Sequence, residues 1–105
     1  MERRRVVVTG MGILCPTGNS VEEAWQNAAA GKTGIRTIQR FDTSHLENHF
    51  GGEVKGFDAE AFLGKREARR TDRVTQMALF VADQAVRDAG LEVTDENRYD
   101  IACIV

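Results

Sequence analysis

Proline occurs once, at Pro16, and the 105 residues hold a single tryptophan, Trp25, and a single tyrosine, Tyr99. With so little proline there is no Pro-rich linker, and the chain shows no internal repeat or low-complexity tract either. Cysteine is nearly as scarce: Cys15 and Cys103 stand far apart, form no C-x-x-C pair, and read as two reduced thiols rather than a disulfide. No apolar run approaches the roughly 20 residues that span a bilayer. The N-terminus is charged but lacks the apolar core and cleavage site of a secretory signal. Excess charge of one sign is missing too, since 14 Lys and Arg face 16 Asp and Glu for a net charge of −2. That excludes a global basic field able to hold nucleic acid or an anionic membrane, so any anion site must be local. What remains is ordinary globular composition, 42% hydrophobic and 29% charged, enough for at most one domain. The expectation is a soluble, cytoplasmic protein.

The most informative stretch is Arg4-Arg5-Val6-Val7-Val8, followed by Thr9-Gly10-Met11-Gly12. A β-branched triplet predicts a strand buried on both faces, and the two glycines let the backbone leave the sheet sharply. This opening belongs to an α/β domain. Ile101-Ala102-Cys103-Ile104-Val105 predicts a second buried strand, and because it stops without turn, cap or polar tail, the chain reads as cut rather than finished.

Between them, Ser20-Val21-Glu22-Glu23 fits a capping box, predicting a helix that packs through Ala24, Trp25, Ala28 and Ala29 and ends at Gly31. Lys32 to Asn48 has poor periodicity and reads as an irregular excursion. Phe50 to Val54 suggests a short edge strand. Asp58 caps a short helix through Phe62, with Gly64 ending it before a basic stretch from Lys65 to Arg73. Thr71 or Asp72 then caps the best-determined helix. Its face is Val74, Met77, Ala78, Val81, Ala82, Ala85 and Ala89, and Gly90 ends it. Leu91 to Asn97 connects to the last strand, with a turn capped by Thr94.

Four constellations bear on chemistry. Gly10-x-Gly12 after a strand resembles a dinucleotide loop, but Cys15 stands where a third glycine or alanine belongs and the helix cap comes too late. Tight turning and close backbone packing explain it better. His45 and His49 would share a face if helical and could grip zinc, but no third ligand lies near, and two solvated histidines are the simpler reading. Cys15 has no base at a recognisable spacing, and both it and Cys103 read as packing residues. The basic run is stronger. Lys65, Arg66, Arg69, Arg70 and Arg73 would fall on one arc of about 140° at about 100° per helical residue. Against a merely solvated charged face stands its one-sidedness, because only Glu67 interrupts it and like charges repel by a few tenths of a kcal/mol per pair. An acidic or phosphorylated partner would relieve that cost, and arginines favour bidentate recognition of carboxylate or phosphate.

With these residues in view, the chain resembles the N-terminal portion of the β-ketoacyl-acyl carrier protein synthases, most closely the synthase II type. The matching pieces are Arg4–Gly12, Pro16-Thr17-Gly18-Asn19, Trp25, Ala30–Ile35, Phe41-Asp42-Thr43-Ser44, Lys65–Asp72 and Asp88-Ala89-Gly90-Leu91. Their order and spacing make the match specific. The resemblance implies a layered, thiolase-like α/β fold of which this chain is part of the first half. Residues 1–105 would then be an incomplete N-terminal synthase domain of a homodimeric protein.

In that family a cysteine at a helix N-terminus takes an acyl group as a thioester, and two histidines assist the decarboxylative condensation of malonyl-acyl carrier protein in fatty acid elongation. Neither Cys15 nor His45 nor His49 matches those motifs, so no catalytic residue, metal or cofactor is assigned. The resemblance gives Lys65, Arg66, Arg69 and Arg70 a role in docking the acidic acyl carrier protein, with no nucleic acid or membrane as partner. Two alternatives stay open. One is a non-catalytic ketosynthase-like partner of the chain-length-factor type in a polyketide system. The other is a small acyl-carrier or anion-binding module, whose mark would be a stable monomer of 11.6 kDa.

Overall fold

The computed structural model describes residues 1–105. In chain order it contains helix α1 (Val21–Ala29), strands β1 (Ile35–Thr37) and β2 (Phe50–Gly52), and helices α2 (Ala59–Leu63), α3 (Lys65–Arg70) and α4 (Arg73–Ala89). It is a small α/β unit in which a short antiparallel ladder, Ile35 opposite Gly52 and Thr37 opposite Phe50, is surrounded by helices.

The helix ends follow their capping chemistry. Ser20 Oγ accepts the Glu23 N–H at 3.2 Å. The Glu23 carboxylate reaches back to the Asn19 N–H at 3.0 Å, one residue before the position a strict capping box would use. Asp58 accepts from Glu60 and Ala61, and Asp72 rather than Thr71 caps α4 by accepting from Thr75. Gly90, left-handed at φ 61°, closes α4 and lets its N–H and that of Leu91 return to the last turn.

α4 organises the molecule on two sides. On one, the segment around Gly10 and Gly12 runs against it. The Met11 N–H donates to Asp88 Oδ2 at 2.9 Å and the Ile13 N–H to Gln84 Oε1 at 3.0 Å. Two residues of open chain cover about 6–7 Å and four helical residues about 6 Å, so alternate amides meet successive turns. A side chain at Gly10 would collide with the Ala85 carbonyl and one at Gly12 with that of Val81. Close approach is therefore what these glycines permit, and neither takes a positive φ. Gln84 also donates through Nε2 to the Asn19 carbonyl at 2.6 Å, clasping both ends of the loop that precedes α1.

On the other side Phe80 meets Phe57 at 5.2 Å and Phe62 at 5.1 Å, centroid to centroid, which seats α2 on α4. Gln76 Nε2 donates to the carbonyls of Ala68 (2.8 Å) and Thr71 (3.0 Å), fixing the end of α3.

Several expectations are corrected. Val6–Val8 and Ile101–Val105 form no strand and are not buried; Val6 is 93% and Ile104 94% exposed. A strand needs a neighbour to complete its ladder, and β1–β2 is the one sheet formed by these residues. Cys103 is accordingly exposed rather than in a core. α1 packs through Val21, Ala24 and Asn27, three residues apart, leaving Trp25 71% exposed with Ala28 and Ala29 also outside. Val74 and Ala82 on α4 are likewise exposed. The excursion from Lys32 contains a strand, β1, and the edge strand stops at Gly52.

Candidate functional site

The basic stripe stands on α3. Gly64, at φ 82°, breaks the chain between α2 and α3, and its carbonyl accepts the Ala68 N–H at 3.0 Å. Ala68 is half-buried against the body, so Lys65, Arg66, Arg69 and Arg70 are left exposed. Gln76 holds the end of α3, α2 beside it is seated on α4 by the aromatic trio, and the four cations share the outer arc. Glu67 offsets them only in part: its carboxylate lies 3.9 Å from Arg70, with both side chains more than half exposed, a pairing of little energetic weight.

Arg73 leaves the stripe. Thr71 is extended and Asp72 caps a new helix, so Arg73 opens α4 and lies over the Phe57 ring, 5.6 Å from its centroid. The platform therefore carries four of the five expected cations.

The other candidates separate. Residues around His45 and His49 form turns, not a helix, and both histidines are exposed; His49 Nδ1 lies 3.1 Å from the hydroxyl of buried Thr43. No group of three or more His, Cys, Asp or Glu is placed to hold a metal ion. Cys15 is half-buried in a tight turn, where Cys15 and Gly18 exchange backbone hydrogen bonds of 3.0 and 3.1 Å. Its Sγ lies 3.2 Å from Thr17 Oγ1, and that hydroxyl holds the thiol below its usual pKa while desolvation opposes it. No histidine is hydrogen-bonded to it. Gln76 and Gln84 escaped the sequence reading; their signal was two amides eight residues apart inside an apolar helical face.

The description "Beta-ketoacyl synthase, N-terminal domain" matches residues 3–105. The chain belongs to the β-ketoacyl synthase family. This synthase-family chain is 48% identical over 97 residues to 3-oxoacyl-[acyl-carrier-protein] synthase 2 of Vibrio cholerae, covering 92% of the chain and 23% of that relative. It is 43% identical over all 105 residues to the synthase 2 of Synechocystis, covering 25% of it. The chain thus spans about a quarter of the length of the curated relatives it matches. A solved structure described as the ishigamide ketosynthase/chain length factor superposes with a TM-score of 0.77 at 37% identity, over 87% of this chain and 23% of that one. The fold is accordingly that of the thiolase-like ketosynthase N-terminal region. No helix is long and apolar enough to cross a membrane.

Proposed function

We propose that residues 1–105 are an incomplete N-terminal ketosynthase domain whose task is to frame the fold and to present a docking face for an acidic acyl carrier protein. The observation that carries this reading is α3: Lys65, Arg66, Arg69 and Arg70 exposed on one arc of a helix whose end is held by Gln76. The protein would act in the cytoplasm as one member of a dimer.

Two versions of the whole protein follow. The better supported is a non-catalytic ketosynthase-like partner of the chain-length-factor type. It accords with the superposition on a ketosynthase/chain length factor. The second is a condensing acyltransferase of fatty acid elongation, which joins malonyl-acyl carrier protein to an acyl thioester with loss of carbon dioxide; identity to the synthase 2 enzymes favours it. Purified full-length protein assayed alone and with a catalytic ketosynthase separates the two. The partner reading expects condensation only in the mixture, and turnover by the protein alone replaces it with the second.

A further inference from the structure

A second cationic feature lies away from α3. The Cys15–Gly18 turn rests over the β1–β2 ladder because Gly34 and Gly52 leave room for Pro16; a Cβ at either would stand 2.6 Å from the proline ring. Beside this turn is an open cavity of about 300 Å³, near the lower end of small-molecule sites. Its wall draws on separate parts of the chain: the turn itself, Glu23 and Asn27 of α1, Lys32 and Thr33 before β1, Arg36 within it and Lys55 after β2.

Among the charged groups there, Lys32, Arg36 and Lys55 are cations and Glu23 is the one carboxylate. The chain's three ion pairs join Arg70 to Glu67, Arg87 to Asp83 and Arg98 to Asp95, so none of these three cations has a carboxylate within 4 Å. Glu23 is already engaged, accepting the Asn19 N–H. The side-chain amides are committed too, Asn27 to the Thr17 carbonyl and Asn19 to the Lys55 carbonyl, each at 2.6 Å. Thr33 Oγ1 accepts from the Ile35 N–H, which leaves its proton free to donate.

Donors without acceptors therefore dominate the wall: two ammonium groups, a guanidinium and a hydroxyl, three of them from Lys32–Arg36 and the fourth from Lys55 beyond β2. We propose that this cavity binds the phosphate group of a small soluble molecule. A phosphate offers several charged oxygens to donors arriving from different directions and suits both the guanidinium fork and the point charges of lysine. A carboxylate offers fewer oxygens, all in one plane, and a single negative charge. A nucleic acid is disfavoured by the net charge of −2.

The test titrates full-length protein with pyrophosphate and with inorganic phosphate by calorimetry, with sodium chloride at matched ionic strength as the control. Saturable binding is expected, weakened about tenfold by Arg36→Gln and again by Lys55→Gln, as loss of a charge-assisted hydrogen bond implies. Arg36→Lys should recover part of the loss. Reversal of Arg69 and Arg70 to glutamate should leave it unchanged. Protection of Lys32 and Lys55 from acetylation by pyrophosphate, read by mass spectrometry on the wild-type protein, serves even where a variant fails to fold. Absence of saturable binding, an equal effect of chloride, loss that follows Arg69 and Arg70, or unprotected lysines would each overturn the proposal. None of these readouts depends on condensation or carrier docking.

Discussion

A single absent side chain decides how closely the N-terminal segment approaches α4. Because a Cβ at Gly12 would meet the Val81 carbonyl, which is backbone and cannot swing aside, Gly12→Ala should destabilise the full-length protein by about 1–3 kcal/mol, the usual cost of overpacking. Urea unfolding monitored by circular dichroism checks this, and an unchanged midpoint would show that the segment is free to move. Titration adds a second residue-scale effect. Thr75 holds the Asp72 carboxyl below its ordinary pKa, and the Ser44 backbone N–H and hydroxyl do the same for Asp42. A carboxylate lowered on folding stabilises above its unfolded pKa of about 4 and loses that contribution as pH falls through its folded value. The α4 N-terminus should therefore fray as pH drops below about 4. Asp72→Asn keeps a capping oxygen without the charge, so the protection of first-turn α4 amides, taken relative to their intrinsic exchange rates, should no longer fall between about pH 5 and about pH 3 in that variant.

At the scale of elements, capping and charge make further predictions. Removing the Ser20 hydroxyl should cost about 1 kcal/mol, because the Glu23 N–H loses its acceptor; the shift in urea midpoint for Ser20→Ala measures it. On α3, reversing Arg69 and Arg70 to glutamate should raise KM for carrier-bound substrate in the assembled ketosynthase while small thioester substrates are nearly unaffected. An equal loss on both would refute a docking role. Elements were legible where the signal was local. Ser20, Asp58, Gly64 and Gly90 each set a helix end through groups within a few residues, and α4 declared itself by period. Strands were legible only in part, because a ladder is completed by a partner that periodicity does not name: Phe50–Gly52 formed where an edge strand was expected, but Ile35–Thr37 paired without announcing it, and Val6–Val8 announced a strand and found no partner. The basic stripe was legible as composition but not in its limit, since the break at Thr71–Asp72 moved Arg73 onto Phe57. The phosphate cavity was invisible in sequence, assembled as it is from residues between Cys15 and Lys55 that only the fold brings together.

For the whole molecule, dimensions carry the argument. The radius of gyration is 17.6 Å, whereas about 13 Å is usual for a compact domain of this length. Four residues in all are buried, and Val6–Val8, Ile104 and Val105 stand in solvent. So open an arrangement withholds little apolar surface from water, and the isolated 105 residues should melt without a sharp transition and bind a hydrophobic dye. Calorimetry showing one cooperative peak, with no dye binding, would contradict this. Exposed apolar segments of such extent are surfaces for other protein, in keeping with a chain that matches about a quarter of its relatives' length.

The lone indole turns that openness into something measurable. Trp25 lies on the outer face of α1 and is the chain's one tryptophan, so its fluorescence reports whether anything comes to cover that helix. Emission from the isolated chain should be red and readily quenched by iodide; in the full-length protein, if the share of emission that Trp25→Phe removes is blue and shielded from iodide, α1 is a seam between neighbouring parts.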